Sequence, residues 1–252
     1  MSADRVKLSH EMLLAALGDS WPQAELSAAA ELLSGGEGQF PSGIRSLPPD
    51  LVSAVQRERL LAGMLRATAQ LGYREVSVQD VLDRAGVSRP TFYEHFENKE
   101  DCFLAAYDSA AARLRAQVEG AAEAGEGWRE RLRLGLEQLL RFVGEAPDAA
   151  ISLIVDARAA CPPALARRDE LLDHFSACLD SQVRAETPPG EPAPSAIAAA
   201  GIVGGIEALL YSRLNRGETE GLEGLLPSLM YFAVLPYEGH DAAGEELALA
   251  AG

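Results

Sequence analysis

Hydrogen-bond donors are concentrated in the segment SRPTFYEHFENK, residues 88–99. Arg89 offers a planar fork of N–H groups that matches the O6 and N7 acceptors of guanine. The hydroxyls of Thr91 and Tyr93 and a ring N–H of His95 are usual donors to phosphate oxygens. These residue types, spaced along one short helix, predict contact with an anionic polymer such as DNA.

Lys99 adds a cation where a further helix is predicted to begin, just after the capping residue Asn98. A positive charge in the first turn opposes the helix dipole, so this position is mildly unfavourable unless an anion lies nearby. A DNA phosphate would satisfy both Lys99 and the free backbone N–H groups of the helix N-terminus. The alternative is that Glu100 and Asp101 compensate the charge and that Lys99 is simply solvated.

Charge is unevenly distributed along the chain. The 252 residues include 22 Lys and Arg against 38 Asp and Glu, which gives a formal net charge of −16. Residues 51–120 hold nine basic against ten acidic side chains, whereas residues 121–252 hold ten against 21. Because salt screens charges beyond roughly 8 Å in the cell, the distant acidic residues do not exclude DNA contact by the nearly neutral segment.

The elements that must position these donors follow from helix signals. Apolar spacing predicts a long helix over residues 49–72. Ser77 and Asp80 match a capping box that opens a short helix, Gly86 makes a turn, and Ser88 can cap the next short helix. Two short helices joined by such a turn form the helix-turn-helix geometry that sets the second helix into the major groove.

Helical periodicity continues beyond this motif, in segments separated by proline and glycine. Alanine and leucine are abundant, β-branched residues are sparse, and no strand alternation is visible, so the sequence predicts an all-α fold. We divide it into an N-terminal helical extension and linker (1–48), a helix-turn-helix DNA-binding domain (49–120) and a helical effector-binding and dimerisation domain (121–252). The helices predicted in the last part are 128–145, 147–159, 162–186, 194–216 and 219–235.

The segment GYREVSVQDVLDRAGVSRPTFYEHFENKEDCFLAAY, residues 72–107, resembles the DNA-binding domain of the tetracycline-repressor (TetR) family of transcriptional regulators. The matching features are Gly-Tyr after the first helix, Ala-Gly-Val-Ser in the turn, Thr-Phe-Tyr-x-His-Phe on the second short helix, and Asn-Lys-Glu after it. The resemblance covers about residues 51–120, and the helical remainder carries no comparable signature.

This resemblance implies a homodimer in which each subunit offers one recognition helix to a palindromic operator in double-stranded DNA. It also implies that a small-molecule effector binds the C-terminal domain and loosens DNA binding, as in a repressor. By position, Arg89 and Pro90 would face bases, and the remaining DNA contacts would come from Ser77, Gln79, Ser88, Thr91, Tyr93, His95 and Lys99.

The N-terminal extension departs from the family pattern, because about 45 residues precede the first family helix. Residues 8–17 and 22–34 are predicted as short amphipathic helices, and residues 35–43 as a linker. This arm could brace the DNA-binding domain, extend the dimer interface, or reflect a translation start assigned too early. We favour a packing role.

Two helices in the last third are predicted to form the dimer contact. Small residues at 198–205 permit close helix approach and the segment 225–239 adds apolar side chains, so two subunits would build a four-helix bundle. An ordinary hairpin of two core helices within one subunit is the alternative.

Segments within 128–186 supply a mostly apolar pocket lining, which favours a hydrophobic or amphipathic effector. The apolar candidates are Leu136, Leu139, Leu140, Phe142, Val143, Ile151, Leu153, Ile154, Phe175 and Leu179, and the polar ones are Asp156, Arg158, His174 and Gln182.

The sequence does not indicate an enzyme, because it has no nucleophile elbow, no HExxH and no phosphate-binding loop. The four histidines share no metal-ligand spacing with one another, and neither a cofactor nor a metal is expected.

The sequence indicates a cytoplasmic protein without a membrane partner. Its three cysteines are far apart, it has no signal-peptide core, and it has no uncharged run long enough to cross a bilayer. Two other interpretations remain: a helix-turn-helix interaction protein without operator binding, and a transcriptional activator of the same fold.

Overall fold

The computed structural model describes residues 48–190 and 194–249, and within these ranges the chain forms helices and loops without a β-strand. The all-α fold predicted from the sequence is therefore confirmed. The chain divides into two compact units, the first ending at Tyr107 and the second beginning at Asp108. The helices predicted over 8–17 and 22–34 lie outside the described residues.

The first unit contains the three helices expected of a helix-turn-helix domain. They are α1 (Pro49–Leu71), α2 (Val78–Ala85) and α3 (Arg89–His95), and α4 (Lys99–Ala122) follows them. The boundary between the units lies inside α4, whereas the sequence placed the end of the DNA-binding domain at residue 120.

Local capping chemistry sets the ends of α2 and α3. Ser77 Oγ accepts the backbone N–H of Asp80 at 3.3 Å, and the Asp80 carboxylate accepts the backbone N–H of Ser77 at 2.9 Å. Gly86 then ends α2 in the left-handed region, with a φ of 66°. Ser88 Oγ accepts the N–H of Thr91 at 3.2 Å and so begins α3. The capping box, the turn glycine and the second cap predicted from the sequence are confirmed.

Helices α1 and α2 approach each other closely at Gly63. A β-carbon on Gly63 would lie 2.9 Å from the carbonyl oxygen of Val81 and 3.0 Å from Cβ of Ala85. Near the same point, Arg59 Nε donates to the carbonyl oxygen of Ala85 at 2.6 Å. A cation at the carboxyl end of a helix is favourable with the helix dipole. Helix α1 therefore fixes the position of α2 through both shape and charge.

Gly63→Ala is expected to destabilise the first unit by about 1–3 kcal/mol, the usual cost of overpacking a core. The new methyl group would meet a backbone oxygen and a β-carbon, which cannot rotate away. Gly120→Ala is the control, because Gly120 is exposed in α4 with nothing within 4 Å of its β-carbon. Alanine there should add up to about 1 kcal/mol of stability. Thermal unfolding followed by circular dichroism measures both, and an unchanged midpoint for Gly63→Ala would contradict the close approach.

The second unit continues from α4 through a series of helices. In chain order these are α5 (Gly127–Glu145), α6 (Pro147–Ile151), a π-helical segment (Ser152–Asp156), α7 (Ala157–Ala160), α8 (Pro162–Glu186), α9 (Ala196–Leu214), a 3₁₀ turn (Leu222–Leu225) and α10 (Leu226–Ala248). The predicted helix over 162–186 has the same bounds as α8. The predicted helix over 147–159 is instead interrupted by the wider π turn.

The last helix differs from the prediction of 219–235. It begins at Leu226 after the 3₁₀ turn and continues to Ala248, with a non-helical kink at Gly239 where φ is 80°. Pro236 and Gly239 are helix-ending signals in the sequence. The chain resumes a helix beyond them because Ala243 and Glu246 are buried there.

One helix among the described residues is long and apolar enough to cross a bilayer, judged by length and composition alone. It is the stretch Ile197–Leu214 of α9, of which 33% is buried, and it is longer than the uncharged run considered in the sequence. Glu207 within it is buried and forms ion pairs with Arg158 and Arg168. Such a buried ion-paired carboxylate is expected of a helix packed on protein. The absence of a membrane partner stays a prediction.

Candidate nucleic-acid interface and ligand cavity

Helix α3 separates an apolar inner face from a polar outer face. Phe92 is fully buried and Phe96, which follows the helix, is nearly so. Arg89 and Pro90 are exposed, and Tyr93 is 53% exposed despite its large ring. A recognition helix requires this arrangement, and the DNA contacts of these residues stay predictions.

Arg89 is oriented by a chain of hydrogen bonds at the surface. Its Nη2 donates to Oε1 of Gln79 at 3.0 Å, and Nε2 of Gln79 donates to Oδ1 of Asp83 at 2.7 Å. The chain ties the first residue of α3 to α2. The hydrogen bond to Gln79 uses one of the five N–H groups of the Arg89 guanidinium, so the other N–H groups can donate to a base. Gln79, predicted to contact the DNA backbone, thus also positions the predicted base-reading residue.

The serine and threonine hydroxyl groups predicted to contact DNA are engaged within the unit. Ser77 Oγ donates to the Asp80 carboxylate, and this hydrogen bond lowers the pKa of Asp80, which therefore stays charged near neutral pH. Ser88 Oγ and Thr91 Oγ1 share a hydrogen bond of 2.8 Å in which either can be the donor. Because only one hydrogen is used between Ser88 and Thr91, the other hydroxyl of this pair can donate to a phosphate. The single hydroxyl hydrogen of Ser77 is donated to Asp80, so Ser77 would have to break that hydrogen bond before donating to DNA.

His95 turns one ring nitrogen towards the interior. Its Nε2 is buried and has no hydrogen-bond partner among the described residues. Burial and then the nearby Arg57 lower the pKa of His95 below its ordinary value of roughly 6.5, so the imidazole is neutral at pH 7. A phosphate contact from His95 would therefore be a neutral hydrogen bond without the charge of an imidazolium.

Lys99 holds the loop that joins α1 to α2. Its Nζ donates to the carbonyl oxygen of Tyr73 at 2.9 Å and to that of Val76 at 2.8 Å. It also lies 4.4 Å from the centre of the Tyr73 ring, within range of a cation–π contact. This structural role differs from both interpretations drawn from the sequence. An ammonium has a third N–H, so the phosphate contact stays a prediction beside it.

Lys99→Met is expected to destabilise the first unit by about 1–3 kcal/mol, because two loop carbonyl groups lose a charged donor. Methionine keeps most of the apolar stem, so the change reports on the ammonium. Arg74→Met removes an exposed cation from the same loop and should change stability by no more than about 0.5 kcal/mol. Urea unfolding compares the two variants, and equal losses would contradict the role of Lys99 in the loop.

The second unit contains a cavity of about 570 Å³. Small-molecule sites are roughly 300–1,000 Å³ in volume and mostly apolar, so its size and lining suit a ligand. Seven of the residues predicted from the sequence line it: Leu136, Leu139, Leu153, Ile154, Phe175, Leu179 and Gln182.

The cavity also differs from the predicted pocket. The predicted residues that do not line it are Leu140, Phe142, Val143, Ile151, Asp156, Arg158 and His174. Helices α4 and α9, which the sequence did not connect with the pocket, contribute instead Leu114, Val118, Ile202, Val203, Ile206 and Leu210. Periodicity shows which face of a helix is buried, but it does not show where neighbouring helices leave a gap.

The cavity wall includes a π-helical segment and an ion pair. The π-helical segment contributes Leu153 and Ile154, and π turns inside α-helices are frequent at functional sites. Arg168 and Glu207 also line the cavity and form an ion pair of 2.9 Å, and Glu207 pairs with Arg158 as well.

These observations define the class of protein. An N-terminal helix-turn-helix with a polar exposed second helix is followed by a helical unit that contains a mostly apolar cavity. Residues 60–106 match the family described as bacterial regulatory proteins, tetR family. This match over the helix-turn-helix segment, together with the relatives described next, supports a TetR-family transcriptional regulator, as the sequence motifs predicted.

Two curated relatives come from Mycolicibacterium smegmatis. The HTH-type transcriptional activator FasR is 31% identical over 88 residues, which cover 35% of this chain and 40% of that protein. The HTH-type transcriptional regulator EthR is 34% identical over 112 residues, which cover 44% of this chain and 50% of that protein. The matched regions thus span half or less of the length of these relatives.

Solved structures support the fold over more of the chain. The fatty acid degradation regulator FadR from Bacillus halodurans superimposes with a TM-score of 0.63 at 16% identity, over 73% of this chain and 95% of that one. The transcriptional regulator FadR from Bacillus subtilis, solved in complex with stearoyl-CoA, gives a TM-score of 0.62 at 19% identity, over 72% and 98%. At these identities the likeness concerns the fold alone.

Proposed function

We propose that this protein is a ligand-responsive regulator of transcription that acts in the cytoplasm as a homodimer. In this proposal it represses from a palindromic operator and is released by a small hydrophobic effector, without enzymatic activity of its own. The arrangement that carries the proposal is a recognition helix with an oriented Arg89, followed in the same chain by an apolar cavity. The match of residues 60–106 to the tetR family supports the DNA-binding half of the proposal.

A homodimer is supported by apolar surface on α9 and α10. Ile197 is 82% exposed and Phe232 43% exposed, which leaves large apolar side chains in contact with water in a single chain. Gly201 and Gly204 of α9 have nothing within 4 Å of a β-carbon position, so another helix can approach closely there. A second copy would cover this surface and form the four-helix bundle predicted from the sequence.

Ala208→Arg tests the dimer, because Ala208 is exposed in α9 between these small residues and Leu209. A bulky charge in the interface should raise the dimer dissociation constant at least tenfold, a loss of about 1.4 kcal/mol or more. Ala166→Arg, at an exposed position of α8, is the matched control and should leave association unchanged. Sedimentation velocity over a concentration series measures both. A dimer of unchanged affinity in Ala208→Arg would exclude this face as the interface.

The effector is proposed to be hydrophobic or amphipathic, because the cavity lining is mostly apolar. One structural neighbour, FadR from Bacillus subtilis, was solved with stearoyl-CoA, which makes long acyl compounds a reasonable first probe. Displacement of an environment-sensitive apolar dye by stearoyl-CoA or stearate would measure binding. Leu136→Trp, which fills part of the cavity, should weaken both dye and probe binding while leaving the fold intact.

Binding to DNA is the first experiment. Operator candidates are selected from random duplexes with the full chain, and fluorescence anisotropy then measures affinity across a salt series. Selective binding that weakens with salt supports the regulator, because phosphate contacts release counterions. Binding no better than to scrambled duplex would instead support the interaction protein without operator binding. Adding the cavity probes to the bound complex tests release.

An activator is a second candidate, since one matched relative is named a transcriptional activator. Both functions use the same DNA-binding helix, so the operator experiment does not separate them. In vitro transcription from a promoter that carries the selected site does: a repressor lowers transcript yield, and an activator raises it.

A further inference from the structure

Three side chains of different chemistry meet at the edge of the cavity in the second unit. Glu119 lies near the end of α4, while His174 and Cys178 lie one turn apart on α8. One donor atom from each side chain lies within 4.8 Å of the other two. Nε2 of His174 is hydrogen-bonded to Oε1 of Glu119 and lies 3.7 Å from Sγ of Cys178.

We propose that Glu119, His174 and Cys178 form a binding site for a divalent transition-metal ion of the Zn²⁺ class. A carboxylate oxygen, an imidazole nitrogen and a thiolate sulfur are the three donor types that zinc takes from proteins. Tetrahedral bonds of about 2.3 Å to sulfur and about 2.0–2.1 Å to nitrogen place these two atoms roughly 3.5–3.6 Å apart. The observed separation of 3.7 Å needs only a small adjustment. The Glu119 oxygen, which is now hydrogen-bonded to the same His174 nitrogen, would have to move away from it to make room for the ion.

The cluster lies at the margin of the fold, where an ion can reach it from solvent. All three residues are half-buried. On binding the ion, the Cys178 thiol would release its proton to solvent, and His174 would carry its hydrogen on Nδ1 rather than Nε2. The thiolate and the Glu119 carboxylate would then balance the two positive charges of the ion.

The site would also present the ion to the cavity. Glu119 and Cys178 both line the cavity, so an ion bound to them would lie at its wall. Three protein ligands and one open position are the pattern of zinc sites that bind a further molecule. An effector with a donor atom, such as a carboxylate or a thiol, would then be bound by the ion as well as by the apolar wall. The metal site itself does not depend on the proposed DNA-binding function.

Titration with Co²⁺ tests the site, because a cobalt–thiolate bond gives a charge-transfer band that oxygen and nitrogen ligands do not. The full chain is purified without a histidine tag, stripped with EDTA and kept reduced. We expect one equivalent of Co²⁺ to produce the band and one equivalent of Zn²⁺ to abolish it. Cys178→Ser should remove the band, and His174→Ala should lower Co²⁺ affinity at least tenfold.

Cys161→Ser is the matched control, because Cys161 is a half-buried cysteine that lies outside the cluster and forms no disulfide. It should keep the band and the stoichiometry of the wild type. Circular dichroism confirms that each variant is folded. No charge-transfer band in the wild type, or a band that survives in Cys178→Ser, would overturn the proposal and leave an ordinary Glu119–His174 hydrogen bond beside a free thiol.

Discussion

Replacing Arg89 by alanine is expected to lower operator affinity at least tenfold and to broaden the set of operator sequences that bind. Arg89 is exposed at the start of α3, and Gln79 fixes the direction of its guanidinium before DNA arrives. A guanidinium held in this way loses little further freedom on binding a base, so more of its hydrogen-bond energy contributes to affinity.

The expected size follows from the chemistry of base recognition. A bidentate contact between arginine and guanine contributes about 1–3 kcal/mol of discrimination. A homodimer on a palindrome would make the contact twice, so the loss should lie between about 2 and 6 kcal/mol for the whole complex. Arg89→Lys should keep part of the non-specific affinity but lose the discrimination, because an ammonium lacks the planar fork.

Anisotropy titrations with the selected operator and with single-base variants measure the affinity and the base preference separately. Arg74→Ala serves as the control for charge, since it removes an exposed cation from the same unit but from outside the helix-turn-helix. Arg74→Ala should leave the base preference unchanged, and any loss of affinity should be the same for every duplex. Unchanged affinity and unchanged base preference in Arg89→Ala would mean that α3 is not the recognition helix.

Helix bounds in the first unit were predictable because local chemistry sets them. Ser77 with Asp80, Gly86 and Ser88 act on neighbours within a few residues, and the structure confirms each of these roles. The start of α8 after Cys161 is equally local, since Pro162 lacks the N–H that an interior helical position needs. Signals of this kind need no knowledge of the rest of the fold.

The roles of Lys99 and of the cavity-edge cluster were not predictable in the same way. Lys99 binds carbonyl groups 23 and 26 residues away, and their orientation depends on how the α1–α2 loop folds back. His174 and Cys178 have the spacing of neighbours on one helix face, but their third partner, Glu119, is 55 residues from His174. From the sequence, only the spacing of the four histidines with one another was considered. A cluster of one glutamate, one histidine and one cysteine cannot be found in that way.

The largest stability effect is expected in the second unit, at Glu246. Its carboxylate is almost fully buried, and it accepts hydrogen bonds from Arg129 at 2.6 and 3.0 Å and from Arg133. These ion pairs join α5 to the part of α10 beyond the kink at Gly239. They explain why a helix persists after two residues that normally end one.

Glu246→Ala is expected to destabilise the second unit by about 3–5 kcal/mol, because it leaves two guanidinium groups without their buried partner. Glu245→Ala is a stringent control, since Glu245 is the neighbouring residue and also pairs with Arg129, but its side chain is 67% exposed. An exposed ion pair contributes about 1 kcal/mol at most. Differential scanning calorimetry should therefore show a midpoint lowered by roughly 6–20 °C for Glu246→Ala and by only a few degrees for Glu245→Ala. Similar shifts in the two variants would mean that the buried carboxylate does not hold the end of α10, and that its helix must be stabilised by apolar contacts such as those of Ala243.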